Sequence, residues 1–486
     1  MEYDVIIGFE THVELKTVTK LFCDCPVSYE APPNSNICPV CTGQPGSLPV
    51  LNKKAVEYTI LAGVAMNCRI NERARFARKN YFYPDLPKGY QISQYEMPFC
   101  EDGYLEISGD DGTPYPVGIR RIHLEEDAGK LIHSSSSFET SDYSLVDYNR
   151  SGVPLLEIVT DHQRNPLRST GEAKLYLEKL RQILTYLGIS DCSMEKGQFR
   201  CDVNISLRPK GFQGYGNRAE IKNMASFKSI ADALDYEIER QGEMLRSGRE
   251  VVQETRLFDE DKGMTISMRG KEDAPDYRYF PEPDLLEIGL DQEFIEKIRG
   301  NLPELPEHKA RRFISESGIP PGEAYILTKE KGISDFFSSC APLCEDRKKL
   351  SRWIIKELFR LLKSASIPIE KCPVSHQDFA SLINSITKGS ITEMAGRTVL
   401  EEMFKTGESP ETIISSKGLE AITDSDVLAR AVDEVVKENP GPVSQILGGK
   451  KEAIKFLIGQ VMKKTQGKAD PRQVKELLGK QLGTLQ

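Results

Sequence analysis

The chain has 486 residues, of which 28% are charged and 39% apolar, and it carries a net charge of −9. That length exceeds what one hydrophobic core can serve and predicts two to four domains, while the composition excludes the disordered, collagen-like and membrane-spanning classes. No apolar run approaches the roughly 20 residues of a membrane span, and Met1-Glu2-Tyr3-Asp4 leads straight into a strand pattern. No signal or transit peptide and no membrane contact are therefore expected, and the cytosol is the expected compartment.

Residues 3 to 15 alternate, with Val5, Ile7, Phe9, Thr11, Val13 and Leu15 on one face and Glu10, His12 and Glu14 on the other. This predicts a strand whose polar face offers oxygen, nitrogen and oxygen donors two residues apart: either a wet sheet face or part of a cation site. Cys23-x-Cys25 and Cys38-Pro39-Val40-Cys41-Thr42-Gly43 form a two-knuckle pattern. Four thiolates suit tetrahedral zinc in a structural role, since four sulfurs leave no open position for chemistry; four free thiols in a Pro-rich loop are the alternative. Gly43 would fold the backbone so that amides face the sulfurs. The other seven of the eleven cysteines read as buried small hydrophobes.

Asn52 to Met66 reads as a helix. Arg78-Lys79-Asn80-Tyr81-Phe82-Tyr83 places three aromatics beside two cations, a pattern that can stack on a base and touch phosphate; Phe82 is expected to pack inside. From Ile119, alternation puts Arg121, His123, Glu125 and Asp127 on one side of a strand, opposite Ile122 and Leu124. A serine-rich turn, Ser134 to Ser137, follows. In Val153-Pro154-Leu155-Leu156-Glu157-Ile158-Val159 a single carboxylate sits in an apolar run, which is costly unless a cation or donor meets it. Asn165-Pro166 predicts a helix start and Gly188 its end, Phe199 to Arg208 alternates again, and Phe227 to Leu245 is amphipathic. After about residue 292 the pattern is helical throughout, with a second helical series from Gly407. The segment from Lys450 onward holds nine basic residues against three acidic ones. It is either a solvated helical face or a local polyanion contact.

The chain lacks the P-loop, the kinase signature set and an obvious glutaminase motif. Long alternating strands with carboxylates on their polar faces fit another scheme, in which ATP lies on an antiparallel sheet. Mg²⁺ would bridge its phosphates to glutamate, and Arg and Lys would offset the charge of the transferring phosphoryl group.

Four long motifs carry a resemblance: Gly8-Phe9-Glu10-Thr11-His12-Val13-Glu14-Leu15; Arg78 to Gln94; His123-Leu124-Glu125-Glu126-Asp127-Ala128-Gly129-Lys130; and Asp147 to Val159. Arg200-Cys201-Asp202-Val203-Asn204, Tyr277 to Asp284 and Gly459-Gln460-Val461-Met462 extend it over nearly the whole chain. Together they resemble the B subunits of glutamyl/aspartyl-tRNA amidotransferases. The resemblance implies an α+β fold: an antiparallel cradle over residues 1–292, like the glutamine synthetase and guanido kinase catalytic domains, then an all-α domain at 293–406 and a small all-α tRNA-binding tail at 407–486. It implies ATP- and Mg²⁺-dependent phosphorylation of the side-chain carboxylate of misacylated Glu-tRNA or Asp-tRNA. Ammonia from an amidase-type A subunit would follow, with a small C subunit clamping the two. Glu10, His12 and Glu125 match the family's magnesium motifs, and Glu157 is a further acid; whether Glu125 or Glu126 faces the ion depends on the strand's regularity. Lys79, Tyr81, Arg150 and Arg200 are assigned to phosphate, adenosine or tRNA-end contacts. Cys23, Cys25, Cys38 and Cys41 match a zinc knuckle present in some members. Phe9 departs mildly from the family pattern and should face inward. The alternative from another class is a non-enzymatic scaffold that presents tRNA.

Overall fold

The computed structural model describes residues 3–134, 142–212, 214–270, 276–422, 424–448, 451–465 and 467–483; most of the serine-rich turn lies outside them. The chain divides into two compact units, Met1–Leu305 and Pro306–Gln486.

The first unit is organised by a nine-stranded sheet. Its order is Met264–Gly270, Glu254–Asp259, Ala219–Lys222, Phe199–Pro209, Tyr3–Glu14, Pro154–Thr160, Pro114–Glu126, Cys100–Ser108 and Arg69–Ile70. Every neighbouring pair is antiparallel except Ala219–Lys222 with Glu254–Asp259. The first strand is central because its odd positions can all be buried: Ile7, Phe9, Thr11 and Val13 are at most 1% exposed. Helices Lys53–Ala65, Thr170–Leu187 and Phe227–Arg246 cover that face. Phe9 stacks on Tyr176 at 5.8 Å between ring centroids, so its ring is a core contact, and burial of a side chain this size stabilises by about 1.5–3 kcal/mol. The opposite, even-numbered face carries the polar residues.

The helix expected from Asn52 to Met66 spans Lys53–Ala65 and is capped by Asn52, whose side chain accepts from the amides of Lys54 and Ala55. The Thr170–Leu187 helix ends at Gly188 in the left-handed region, as expected, but begins later than Asn165-Pro166. Leu167 instead forms an isolated bridge to the central first strand, its carbonyl accepting from Ile7 N at 2.8 Å, and Ser169 caps the helix through Glu172 N. Phe82 also departs from expectation: it is 79% exposed, because the chain turns away from the strand Ala77–Asn80 and Leu86 takes the buried position.

In the second unit one continuous helical run passes from an α-helix over Arg347–Trp353 through a π turn over Ile354–Leu358 to an α-helix over Phe359–Ala365. One apolar cluster draws on residues from Ala310 to Leu419 and another on residues from Leu428 to Leu482. In the basic C-terminal segment Lys464 pairs with Glu434 and Glu438 at 2.8 and 2.7 Å.

Candidate functional site

Strand register builds the site. His12 stands opposite Glu157 on one side and Arg200 on the other, and Glu157 stands opposite His123. Paired residues point to the same face, so His123, Glu157, His12 and Arg200 form one row across four strands. A second row holds Glu125, Leu155 and Glu14; a third holds Arg121, Val159, Glu10 and Asp202.

One ligand atom each of His12, Glu125 and Glu157 lies within 4.8 Å of the others. His12 Nε2 is 3.6 Å from Glu125 and 3.5 Å from Glu157, while His123 Nε2 is 3.1 Å from Glu157 and 3.7 Å from Glu125. Both glutamates are buried, and Ser93 Oγ donates to Glu125 at 2.8 Å. Burial alone would push both carboxyls up, but the two histidines hold Glu157 well below its usual range and, with Lys79, hold Glu125 below it. Burial disfavours a charged His12; Glu157 and Glu125 reverse this and raise it to about 9.

Glu10 lies one row away. Asn204 Nδ2 donates to its carboxylate at 3.2 Å, and burial followed by the charges of Glu157 and Glu220 raises its pKa. Among the described residues no lysine or arginine is paired with Glu10, and His12 is the charge that offsets its own. Two carboxylates and an imidazole converging, with a third acid held at a cost beside them, form a donor set that fits a hard divalent cation. Glu126 points elsewhere: its carboxylate is bound by Lys88 Nζ at 2.6 Å and by Ile92 N at 2.8 Å.

Lys79 lies on the strand Ala77–Asn80, with its ammonium 4.8 Å from the Tyr277 ring and 6.0 Å from the Tyr81 ring. Burial disfavours its charge, yet Glu125, Tyr279 and Glu157 outweigh this and raise its pKa. Tyr279 stacks on Tyr95 at 4.4 Å. Arg200 donates to Asp127 at 2.8 Å; Arg150 lies 3.6 Å from the same carboxylate and donates to Ala128 O and Gly129 O. Arg150 and Arg200 thus meet over Asp127, whereas Lys79 and Tyr81 approach from the Glu125 side. Sequence reasoning places His123 and Asp127 on the right face without giving them a part. Ser93 and Tyr279 lie within the quoted motifs Arg78 to Gln94 and Tyr277 to Asp284, but sequence reasoning gives neither a role.

The four cysteines of the two knuckles also come together within 4.8 Å. Cys38 N donates to Cys41 Sγ at 3.2 Å; the Gly43 amide bonds Val40 O instead of a sulfur. Lys20 is fully buried, with its ammonium 3.4 Å from Cys41 Sγ and 3.1 Å from Tyr148 O. The Cys41 thiol is drawn down to about 4, first by Cys23 and against the effect of burial, with Lys20 contributing. A buried ammonium against the Cys41 sulfur favours a thiolate there, which fits a thiolate-bound metal.

Residues 5–296 match the family model described as the GatB/GatE catalytic domain, and residues 335–482 match the one described as the GatB domain. The B subunit of the aspartyl/glutamyl-tRNA(Asn/Gln) amidotransferase of Carboxydothermus hydrogenoformans is 49% identical over 484 residues, covering 100% of both chains. The protein of the same name from Thermodesulfovibrio yellowstonii is 50% identical over 480 residues, 99% of each chain. That from Persephonella marina is 50% identical over 479 residues, 98% of this chain and 99% of its own. Among the described residues, no helix is long and apolar enough to cross a membrane.

Proposed function

The chain belongs to the GatB/GatE family, and from that premise we propose that it is the carboxylate-activating component of an aminoacyl-tRNA amidotransferase. It acts on Glu-tRNA(Gln), Asp-tRNA(Asn) or both, in the cytoplasm. A side-chain carboxylate oxygen of the misacylated residue attacks the γ-phosphorus of ATP, and the bond to ADP breaks. Ammonia then attacks the acyl carbon and loses a proton, and phosphate leaves, giving Gln-tRNA or Asn-tRNA. The ammonia comes from glutamine on an amidase-type A subunit, held to this chain by a small C subunit.

His12, Glu125 and Glu157, with Glu10 beside them, would hold Mg²⁺, which when bound neutralises phosphate charge. Lys79 offers a protonated, partly shielded ammonium to the same place, suited to the charge spread over the transferring group. Arg150 and Arg200 hold Asp127 between them and add positive potential at the other flank. Tyr81 and its aromatic neighbours give a stacking surface for the acceptor end or the nucleoside. The four cysteines would hold one structural Zn²⁺. The sheet is read as a cradle of the glutamine synthetase and guanido kinase kind. A helical domain at 293–406 and a tRNA-binding tail at 407–486 complete the reading; the two apolar clusters, Ala310 to Leu419 and Leu428 to Leu482, support two helical parts, with the division falling after Leu419.

The observation that carries this reading is the meeting of His12, Glu125 and Glu157 from three strands. The test is ATP-dependent γ-phosphoryl transfer to misacylated tRNA by the complex assembled with its partner subunits. Glu10→Ala and His12→Ala are expected to lower it by about 10²-fold or more. Full transfer by both variants, with tRNA still bound, would leave the non-enzymatic scaffold as the better account.

A further inference from the structure

The segment between the two cysteine knuckles lies along the turn that carries Arg150. Cys25 and Cys38 bring the ends of residues 26–37 together, and Asn34 pairs with the turn much as a strand would. Its amide donates to Asp147 Oδ1 at 3.0 Å and its side-chain nitrogen to Val146 O at 2.9 Å, while its Oδ1 accepts from Tyr148 N at 2.7 Å. The φ of Asn34 is 57°, in the left-handed region that asparagine tolerates better than most residues. Asn36 N donates to Asn149 Oδ1 at 2.8 Å, and Asn149 Nδ2 donates back to Pro32 O at 2.7 Å. Lys20 Nζ donates to Tyr148 O at 3.1 Å, and Ser151 Oγ donates to Cys41 O at 3.1 Å.

From Val146 to Ser151, each residue except Arg150 is thus bonded to the segment 20–41. Arg150 turns the other way. Its Nε donates to Ala128 O at 3.1 Å and its Nη2 to Gly129 O at 2.6 Å, with Asp127 3.6 Å away. A long, rotamer-rich side chain is aimed only when its backbone and its head are both held. The two carbonyls hold the guanidinium, and the asparagine contacts hold the backbone behind it. Asn34 is exposed, and neutral hydrogen bonds of this kind stabilise by only about 0.5–1.5 kcal/mol each. What they fix is position.

We propose that Asn34 is a positioning residue for the reaction: from the loop closed by Cys25 and Cys38 it fixes the 146–151 turn, and so sets Arg150 against Asp127 at the flank of the phosphoryl-transfer site. The proposal rests on the functional reading above, which gives Arg150 its electrostatic part. It makes the cysteine loop the far wall of that site, joined to it through one turn.

The test uses the complex assembled with its partner subunits. Asn34→Gly keeps the left-handed backbone and the amide bond to Asp147 but deletes the two side-chain bonds. It is expected to lower kcat for γ-phosphoryl transfer about tenfold, with KM for ATP, zinc content and thermal midpoint unchanged. Asn149→Ala removes two bonds from the other side of the contact and should do the same. Asn34→Asp, which keeps an acceptor for Tyr148 N, should recover most of the rate. Arg150→Ala alone is expected to cost about 10²-fold, and adding Asn34→Gly to it should cost nothing more, because the first residue acts through the second. Wild-type kcat in both Asn34→Gly and Asn149→Ala, or a further tenfold loss on the Arg150→Ala background, would overturn the proposal while the functional reading stands. Loss of zinc in step with rate would make the loop a fold-holding element alone, and the proposal again fails. Wild-type kcat in Arg150→Ala would remove that residue from the site and Asn34 with it. Absence of γ-phosphoryl transfer in the wild-type complex would overturn the functional reading itself.

Discussion

Among the described residues two groups of metal-capable side chains lie in the first unit, and they are built on opposite principles. The sulfur cluster is local: four cysteines within nineteen positions, joined by short turns, all of one chemical type. The cluster on the sheet is assembled at long range, His12, Glu125 and Glu157 arriving on three strands with mixed oxygen and nitrogen donors. Four thiolates close a coordination sphere, whereas three donors leave room for phosphate oxygens and water. One is suited to holding the fold and the other to turning over a ligand.

Glu125→Gln breaks this contrast most sharply. It is expected to cut ATP-dependent activation by about 10²–10³-fold, with zinc content unaltered in metal analysis. A third buried carboxylate shows what a self-sufficient one looks like. Glu237 is fully buried and paired with Arg240 at 2.8 Å and Arg256 at 3.0 Å, with Gln241 and Thr265 also donating to it. Burial alone would raise it, but Arg240, Thr265 and Gln241 hold it below the usual range. The stabilisation is therefore complete above the unfolded-chain value and is lost as pH falls through the lower folded one. Glu237→Gln should cost about 3 kcal/mol in denaturant titration at neutral pH and flatten that acid limb. Catalytic parameters measured below the melting range should not follow.

Lys20→Met is expected to weaken zinc binding by about 10–100-fold in chelator competition, the effect of removing a partner that orients a ligating group. Glu10→Gln should give the smallest effect and the opposite sign. Without bound metal, the variant should be more stable by up to about 1 kcal/mol, because the wild-type carboxylate is buried and repelled by Glu157 and Glu220. A loss of stability there would place Glu10 with Glu237 as a structural acid.

The same contrast explains what can be read from the sequence. The knuckle spacing, the alternation of the first strand, the Asn52 cap and the Gly188 stop are local signals, and each corresponds to an observed feature. Glu157 is conspicuous as a lone acid, but that it faces His123 and His12 follows from register, which no single stretch encodes. Asn165-Pro166 resembles a helix start because cap and proline signals suit a turn equally well; the competing hydrogen bond to Ile7 lies far away in sequence. Residue type alone puts Phe82 inside, although the turn beyond Asn80 has only one buried seat and Leu86 holds it.

The buried ammonium beside Cys41 ties two inheritances together. A family member that has lost the four sulfurs but kept a lysine here would leave its ammonium with the Tyr148 carbonyl alone, a costly place for a charge. Such sequences are expected to carry a neutral residue there. A chain with the lysine but not the cysteines should gain stability when that lysine is replaced by methionine.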